Sequence, residues 1–536
     1  MAITQTVEVT VKRDEPKSAL KSRLAKGAGL LALGGAGYLA GHVRGVKNGL
    51  SDPLRPYVWD PGRGRTVFLK GIDLVDVKRG QIQRQRGVVF KDGQITDVIL
   101  TRDLAKVTAD RTFDCEGLFL IPGLINAHAH VLLPGAALIG LDLIVSLKRQ
   151  MVRNLEECPR YGVTTVRDAS TLSYLLNDMC RKIETLELLG PRVVSCGPAI
   201  TVKGGYPDYS RPLPGSLARK YGSLTIYVTG PDSARQAVRT AVEAEGARFV
   251  KIFFDERALS FGRKPLNTID DESVKALVDE SHRLGRRVAV HQSQLVGFRR
   301  AVKLGVDDFE HVPIDGLLTD RDVANFMKGN HHITPTATVG MALGFAPEGH
   351  PARSDPAVEA MQALRDRMLM ETCPALSEEA VDRANQKMTK MYMEGDPSKM
   401  RGGALALDNE LFLETIQGII LNITKLREAG ATFCCGNDGG TPFSFPAALS
   451  VEMEIMEWLG FSRAEILRSA TINGAKLLEL EGELGSIEKG KLADMVLLSA
   501  DPLKDVRAVE RIEAVFRSGV LLTRGQQFPL ESVRQS

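Results

Sequence analysis

The 536-residue chain has few cysteines, and those it has show no pairing pattern. Seven cysteines are present, an odd number, and no two of them form a Cys-x-x-Cys pair. This pattern argues against a disulfide framework and against a structural zinc site built from thiolates. Unpaired thiols fit a reducing compartment, so we expect a cytoplasmic location.

The chain also lacks an excess of charge of one sign. Lys and Arg total 69 against 66 for Asp and Glu, which gives a net charge of only +3. A protein that binds nucleic acid through phosphate contacts carries a larger positive excess. We therefore expect no nucleic-acid partner. The length exceeds that of one ordinary core and predicts more than one domain.

Long uncharged stretches are scarce, and the exception lies near the N-terminus. Residues 27–43 contain no Asp, Glu, Lys or Arg, and basic residues flank them on both sides. Seventeen residues are the lower limit for a membrane span, and the many glycines reduce the apolarity. Three interpretations stay open: a membrane or oligomer contact, a locally packed arm, and a cleaved signal. The first of them predicts membrane association or a homo-oligomer.

Changes of pattern divide the chain into four predicted segments. An N-terminal extension covers residues 1–64, and short alternating strands with an Asp-Gly hairpin turn at 92–93 fill residues 65–121. From residue 122 to 483 apolar strands alternate with helical segments, and from 484 to 536 strand-like sequence returns. We expect the two strand-rich segments to form a small β-sandwich together.

The alternating region predicts an α/β fold with parallel strands. Eight strands separated by helical segments are the number that closes a (β/α)8 TIM barrel. A methionine-rich insertion at about 340–405 follows the seventh strand, and it suits either plain core or an adaptable wall for an apolar substrate. The strands are predicted at residues 124–130, 163–167, 192–197, 248–254, 287–291, 306–311, 332–336 and 431–437.

Two histidines one residue apart, His128 and His130, end the first predicted strand. Side chains at positions i and i+2 of a strand point to the same face, so both imidazoles project together. Neutral imidazole is the commonest metal ligand in proteins. From this stretch alone, a metal site and a pair of hydrogen-bonded core histidines are equally good interpretations.

The ends of three further strands favour the metal site. His291 ends the fifth predicted strand, His311 ends the sixth, and Asp438 follows the eighth. The chemistry of such barrels takes place at the C-terminal ends of the strands, where these side chains would converge. One such coincidence means little, but four strands that end in ligand residues predict a metal centre.

Lys251 is unusual because it lies within the apolar fourth strand, between Val250 and Ile252. Burying an ammonium group is costly unless the charge is paired or neutralised. One interpretation is a lysine that extends its amine to the strand end. The other is a lysine that has reacted with carbon dioxide, whose carbamate would bridge two cations.

Several motifs occur together in one order: PGLINAHAH, YGVTTVRDAS, VKIFF, RVAVHQ, DDFEHV, GNDGG and the closing LGSIEKGKLADMVLLSADPL. With them the chain resembles the amidohydrolase superfamily over roughly residues 65–525. It is most similar to the prolidase and imidazolonepropionase-like branch, which includes ochratoxinase. In that branch a histidine pair, a carbamylated lysine, two later histidines and an aspartate hold two metals. The matching residues here are His128, His130, Lys251, His291, His311 and Asp438.

The resemblance implies a binuclear hydrolase with two divalent cations, which we expect to be zinc, and a hydroxide that they share. Asp438 would accept the hydroxide proton and pass it to the leaving nitrogen. The expected reaction is hydrolysis of an amide-type C–N bond in a dipeptide, N-acyl amino acid, cyclic amide, carbamate or urea. A lactonase or esterase on the same site is the alternative. A non-catalytic scaffold is less favoured because the ligand set is complete.

Two positions depart from the family pattern. Asp255, Glu256 and Arg257 replace a small, Gly-rich turn after the lysine, and Tyr206 stands where a histidine is usual. Both positions line the substrate side in such barrels, so the substrate preference of the family does not transfer. We name Tyr206 and His332 as candidate substrate contacts.

Overall fold

The structure is a computed structural model. It describes residues 58–133, 141–206, 224–258, 264–343, 354–356, 358–360, 363, 409–441 and 444–524. The uncharged segment 27–43 and most of the predicted insertion lie outside the described residues. Within these ranges, no helix combines the length and the apolarity that crossing a membrane requires.

Five strands precede the parallel part of the fold. Antiparallel pairing brings Lys91 opposite Gln94 across a two-residue turn. Both turn residues, Asp92 and Gly93, have positive φ (49° and 81°), as a tight hairpin with the right-handed strand twist requires. The predicted hairpin at 92–93 is confirmed. The five strands are β1 (Thr66–Asp76), β2 (Gln81–Lys91), β3 (Gln94–Ile99), β4 (Arg111–Asp114) and β5 (Phe119–Pro122).

Two parallel sheets and a short antiparallel ribbon follow. Their strands are β6 (Leu124–Ala129), β7 (Val163–Asp168), β8 (Arg192–Ser195), β9 (Ala199–Thr201), β10 (Thr225–Tyr227), β11 (Val250–Phe253), β12 (Arg257–Ala258), β13 (Lys264–Pro265), β14 (Val288–His291), β15 (Asp308–Glu310), β16 (His332–Thr334) and β17 (Thr432–Phe433). One sheet has the order β6-β7-β8 and the other the order β10-β9-β11-β14-β15-β16-β17, while β12 pairs with β13. Every pairing within the three-stranded and the seven-stranded sheet is parallel, which makes this an α/β fold.

Three C-terminal strands return to the first sheet. They are β18 (Met495–Leu498), β19 (Ile512–Arg517) and β20 (Val520–Arg524). Antiparallel pairing of β18 with β5 places Leu497 opposite Leu120, and both side chains are fully buried. The sheet has the order β20-β19-β18-β5-β1-β2-β3, with β4 beside β1. The strand-rich segments therefore pair as predicted, while the β-sandwich arrangement stays a prediction.

The third predicted strand, at 192–197, is shorter in the structure, where β8 ends at Ser195. A separate strand, β9, begins at Ala199, and the backbone between them includes Gly197 with φ of 61°. This left-handed conformation, which glycine adopts readily, turns the chain from one neighbour to the other. β8 pairs with β7, and β9 pairs with β10 and β11.

Backbone hydrogen bonds join β6, the first of the parallel strands, to the chain that follows β17, the last of them. The amide of Ala127 donates to the carbonyl oxygen of Cys435 at 2.8 Å. The amide of His130 donates to the carbonyl oxygen of Gly439 at 2.6 Å. The C-terminal end of β6 therefore lies beside the chain that follows β17.

Helices connect most of the parallel strands. Asp270 begins one of them by accepting a hydrogen bond from the amide of Ser273 at 2.8 Å, and Gly305 ends another with φ of 76°. The α-helices are α1 (Leu141–Arg160), α2 (Ser173–Glu184), α3 (Pro231–Arg239), α4 (Asp271–Arg283), α5 (Leu295–Leu304), α6 (Asp320–Phe326), α7 (Ala337–Leu343), α8 (Asn409–Glu428), α9 (Leu449–Trp458), α10 (Arg463–Arg468) and α11 (Gly474–Leu477). Two 3₁₀ helices (Thr101–Lys106 and Val506–Glu510) and two π-helical turns (Thr240–Ala244 and Ser469–Asn473) complete the set described.

The core between strands and helices is aromatic around β15. The rings of Phe298 on α5, Phe309 on β15 and Phe326 on α6 lie 5.1–5.5 Å apart and are almost fully buried. Burying each ring contributes about 1.5–3 kcal/mol relative to leaving it exposed. This packing fixes the outer face of β15, whose other face carries the side chains of the candidate site.

Gly436 lies at a close approach between the chain after β17 and β6. A Cβ atom there would lie 2.6 Å from the backbone nitrogen of His128 and from a methyl carbon of Thr334. We expect Gly436→Ala to lower the free energy of unfolding by about 1–3 kcal/mol, because the two strands must separate. Urea denaturation measures this loss. The control is Gly482→Ala, whose added Cβ meets no atom within 4 Å; equal stability of both variants would contradict the close approach.

Candidate metal centre

Three predicted ligand residues converge at the end of β6. His128, His130 and Asp438 each offer an atom that lies within 4.8 Å of the others. One carboxylate oxygen of Asp438 is 3.2 Å from Nε2 of His128 and 3.2 Å from Nε2 of His130. His128 and Asp438 are buried. The arrangement offers two imidazole nitrogens and a carboxylate, which is a suitable donor set for a divalent transition metal.

The backbone around Asp438 is bent to bring its carboxylate to this point. Asp438 has φ of 51°, in the left-handed region, and its amide donates to the carbonyl oxygen of His128 at 2.9 Å. Gly440 follows with φ of 108°, and a Cβ there would lie 2.1 Å from the carbonyl oxygen of His130. A non-glycine residue with positive φ is strained, and such strain is concentrated at functional sites.

Two buried asparagines hold this loop. The side-chain amide of Asn126 donates to Oδ1 of Asn437 at 2.8 Å and to the carbonyl oxygen of Pro446 at 2.8 Å. Asn437 in turn donates to the carbonyl oxygen of Phe445 at 2.7 Å. Neither asparagine was predicted as a site residue, although both stand within the motifs that carry the ligands. Their bonds join the strand with the histidine pair to the loop with the aspartate.

Neighbouring charges set the ionisation of the buried groups. Burial raises the pKa of Asp438, but His128 and His130 outweigh burial and hold that pKa well below its ordinary value. Burial lowers the pKa of His128, but Glu310 and Asp438 together outweigh burial and raise the pKa above the ordinary value. Asp438 is therefore a carboxylate at neutral pH, ready to bind a cation or accept a proton.

His291 and His311 form a second group. Nδ1 of His291 lies 2.8 Å from Nε2 of His311. On the other side of each ring, Nε2 of His291 lies 3.0 Å from a carboxylate oxygen of Asp255, and Nδ1 of His311 contacts the hydroxyl of Thr336. That hydroxyl also donates to the carbonyl oxygen of Pro335 at 2.8 Å. The rings of His128 and His311 lie 5.3 Å apart, so the two groups are neighbours.

These outer bonds determine which ring nitrogens carry protons. The carboxylate of Asp255 only accepts, so Nε2 of His291 donates to it. Because the Thr336 hydroxyl gives its proton to a carbonyl, it accepts from Nδ1 of His311. Each neutral ring then has its lone pair on the nitrogen that faces the other ring. Burial and the neighbouring His291 also hold the pKa of His311 well below its ordinary value, which favours the neutral ring.

Lys251 is buried on β11, with 1 % of its surface exposed. Its Nζ has no hydrogen-bond partner among the described residues, and it lies 4.0 Å from a carboxylate oxygen of Glu310. Burial lowers the pKa of Lys251 below its ordinary value, although Glu310 acts in the opposite direction. An unpaired buried amine of this kind is costly to leave unmodified.

The two candidate substrate contacts lie in different places. The ring of Tyr206 stacks on His291, with centroids 4.5 Å apart and planes 17° from parallel. His332 begins β16, where its Nδ1 lies 2.9 Å from Nη2 of Arg287 and 3.5 Å from Asp308. The structure thus brings Tyr206 to the histidine groups but does not bring His332 to them. Both roles stay predictions, and the placement of His332 does not favour its role.

Further polar residues around the histidines were not predicted. Glu310 contacts Nδ1 of His128 with one carboxylate oxygen and Arg167 with the other. A signal for them exists in the sequence, because charged residues at inward positions of apolar strands are rare without a partner. Asp308 and Glu310 are two residues apart on β15 and so share a face, which Arg167 on β7 also reaches.

Glu452 on α9 supports the segment that contacts His311. It is fully buried and accepts hydrogen bonds from the amides of Ala337 at 2.9 Å and Thr338 at 2.7 Å. These residues directly follow Thr336, which has φ of 48°. Burial raises the pKa of Glu452 to about 7.

A sequence profile of the amidohydrolase family matches residues 119–522. This range is well over half of the chain, and the chain belongs to the amidohydrolase family. The family expected from the motifs is therefore confirmed, and ochratoxinase and imidazolonepropionase are among the relatives found.

The relatives match over different lengths. Ochratoxinase from Aspergillus niger is 23% identical over 381 residues, 68% of this chain and 66% of that protein, so the match spans just under two thirds of the relative. Imidazolonepropionase from Rubrobacter xylanophilus is 38% identical over 104 residues, 19% of this chain and 25% of that enzyme.

Two solved structures show the same fold. Ochratoxinase from A. niger gives a TM-score of 0.64 at 18% identity, covering 86% of this chain and 96% of its own. A Xaa-Pro dipeptidase with methionine bound in its active site gives 0.63 at 20% identity, covering 86% of this chain and 100% of its own.

Glu452 makes stability depend on pH in a defined direction. Its pKa of about 7 in the folded protein exceeds the ordinary value of 4.5, so the folded state binds more protons between these values. The contribution of Glu452 is therefore present below about pH 4.5 and is lost as the pH rises through about 7. We expect the stability lost on Glu452→Gln substitution to shrink from pH 5 to pH 8, measured by urea denaturation. The exposed Glu481→Gln control should give a constant difference; a constant difference for Glu452→Gln as well would refute this linkage.

Proposed function

We propose that the protein is a metal-dependent hydrolase that cleaves an amide-type C–N bond in a small molecule. The observation that carries the proposal is the convergence of His128, His130 and Asp438 beside the facing pair of His291 and His311. Membership of the amidohydrolase family supports the same chemistry. The proposed substrates are dipeptides, N-acyl amino acids, cyclic amides, carbamates and ureas.

We also propose that the parallel strands form one closed (β/α)8 TIM barrel in which β8 and β9 together make the third strand. The hydrogen bonds between β6 and the chain after β17 support closure of the barrel between its first and its last strand. The amide of Arg248 donates to the carbonyl oxygen of Ser195 at 2.9 Å, which supports continuity between β8 and β11. The proposed domains are an extension at 1–64, a β-sandwich from 65–121 and 484–536, and the barrel at 122–483.

The residues of the centre fit a pair of divalent cations. Nε2 of His128, Oδ1 of Asp438 and Nζ of Lys251 are buried without a hydrogen-bond partner among the described residues. The facing lone pairs of His291 and His311, 2.8 Å apart, repel each other unless a cation lies between or beside them. Buried polar atoms without partners need an explanation, and these atoms, together with the converging lone pairs, fit residues that would hold cations.

We assign the two metals to the two groups of side chains. His128, His130 and Asp438 would hold one cation, and His291 and His311 would hold the other. Lys251 would bridge them as a carbamate: its neutral amine adds to carbon dioxide and releases one proton. The lowered pKa of Lys251 supports this step, because only the neutral amine is a nucleophile. Imidazole and carboxylate ligands support zinc as the metal.

When bound, the cations supply Lewis acidity that polarises the carbonyl under attack. His128 and His130 keep Asp438 ionised, so the carboxylate has a free lone pair with which it would accept a proton from the attacking water. The same carboxyl group then donates that proton to the leaving nitrogen. Tyr206, stacked on His291, would form a flat wall against the substrate.

Location and assembly are further parts of the proposal. The six described cysteines are free thiols, which supports a reducing, cytoplasmic setting. Homo-oligomerisation, and membrane association through residues 27–43, remain predictions about a segment outside the described residues.

A substrate panel tests the proposed activity. We expect the zinc-loaded protein to hydrolyse at least one compound among N-acyl amino acids, Xaa-Pro dipeptides, aryl amides and cyclic amides. Asp438→Asn should keep most of the metal but lose roughly 10²–10⁴-fold in kcat, because proton transfer is lost. Exposed Asp97→Asn is the matched control and should match the wild type. Turnover of lactones and esters alone, or near-normal kcat in Asp438→Asn, would refute the assignment.

Carbamylation of Lys251 has a direct spectroscopic test. We expect protein loaded with zinc and ¹³C-bicarbonate to show one carbamate carbon resonance in NMR. Lys251→Met should lose this resonance, whereas Lys275→Met, which removes an exposed lysine paired with Asp279, should keep it. Absence of the resonance from metal-loaded wild-type protein would show that Lys251 is not modified.

A further inference from the structure

Four charged side chains form a buried ionic network next to the candidate metal centre. Glu310 contacts Arg167, and Arg167 donates to Asp308 at 2.9 Å. Asp308 also accepts from Arg287 at 3.0 and 2.6 Å. Arg167, Asp308 and Glu310 are each at most 1 % exposed. Opposite charges alternate along the network, which crosses β7, β15 and the start of β14.

Stability alone is a weak reason for such a network. The interior of parallel barrels is dominated by bulky branched apolar residues. Replacing buried ion pairs by apolar residues of similar volume is often neutral or stabilising, because desolvation offsets the attraction. We therefore expect the network to have a role that apolar packing cannot fill. Because Glu310 contacts His128, that role concerns the histidine.

Glu310 restricts the proton of His128. Both of its carboxylate oxygens are engaged, one by Arg167 and one by Nδ1 of His128. An ionised carboxylate only accepts hydrogen bonds, so Nδ1 of His128 carries the proton. Nε2 lies 3.2 Å from Asp438 but has no hydrogen-bond partner among the described residues. When the His128 ring is neutral, its lone pair is therefore on Nε2.

We infer that Glu310, held in place by Arg167, is a positioning residue that fixes His128 in the tautomer whose Nε2 is free to bind metal. The inference rests on the proposed metal centre and names how that centre is made ready before any metal arrives. Carboxylates that hold the far nitrogen of a histidine ligand commonly raise metal affinity by 10–100-fold.

Arg167 keeps the carboxylate from turning away. Its guanidinium bonds to Glu310 and Asp308 together and lies 3.8 Å from the centroid of the Phe249 ring. Arg287 fixes Asp308 in turn through two hydrogen bonds. The orientation of His128 is therefore set by residues that would not themselves touch metal or substrate.

The wild-type apoprotein gives the first test. In ¹⁵N-histidine-labelled, metal-free protein, at a pH where the His128 ring is neutral, we expect its NMR signals to report a single proton, on Nδ1. His128→Asn identifies these signals among the nine histidines of the chain. A neutral ring with its proton on Nε2 would overturn the inference without the need for any variant in the network.

Glu310→Gln gives the second test. If the glutamine oxygen faces Arg167, its amide faces His128 and requires Nδ1 to accept, which moves the ring proton to Nε2. In the reverse orientation the glutamine amide faces the guanidinium of Arg167, and because both groups are donors, that contact is unfavourable. We expect the His128 tautomer to change and zinc affinity, measured by competition with a chelator, to fall roughly 10–100-fold.

Asp308→Asn is the matched control, because it removes a charge from the same strand and network without touching a proposed ligand. It should keep the His128 tautomer and near-normal zinc affinity. Equal loss of zinc in both variants with an unchanged tautomer would mean that the network is structural only. Failure of the wild type to bind zinc would refute the metal centre instead, and failure to hydrolyse amides would refute only the proposed reaction.

Discussion

A charge removed from water needs a partner of opposite sign, and the interior around the candidate centre is organised by this constraint. Glu310 satisfies Arg167 and His128 at once, and Arg167 is satisfied again by Asp308. These contacts tie β6, β7 and β15 to one another through side chains, in addition to the backbone pairing. Any change in the position of one strand would leave a charge unpaired, so the relative positions of the ligand-bearing strands are closely restricted.

The convergence of candidate ligands could be predicted from residues that stand at the ends of apolar strands. His128, His291 and Asp438 follow that rule, and parallel strands bring their ends to one side of a sheet. The hairpin at Asp92 and Gly93 was equally readable, since only one turn type suits such a pair. In these cases a few neighbouring residues carry the information that predicts the structure.

The pairing of the supporting residues could not be predicted because the partners are remote along the chain. Arg167 and Glu310 are separated by more than 140 residues, and their pairing appears only in the folded protein. Asp255 was noted only as a departure from a glycine-rich turn, yet its carboxylate holds His291. The separate strand β9 was not predicted for a related reason: the turn at Gly197 becomes evident only when β8 pairs with β7 and β9 pairs with β11.

Three residues at the centre, His311, Thr336 and Asp438, have left-handed backbone conformations without being glycine. Each such conformation costs of order 1–3 kcal/mol and persists only where the surroundings enforce it. Backbone strain is therefore concentrated at residues that orient the candidate ligands. Selection for stability alone would remove this strain, so the centre represents a trade-off between stability and activity. Stabilising substitutions in this protein are best sought far from these three residues, in the sheet formed by β1–β5 and β18–β20.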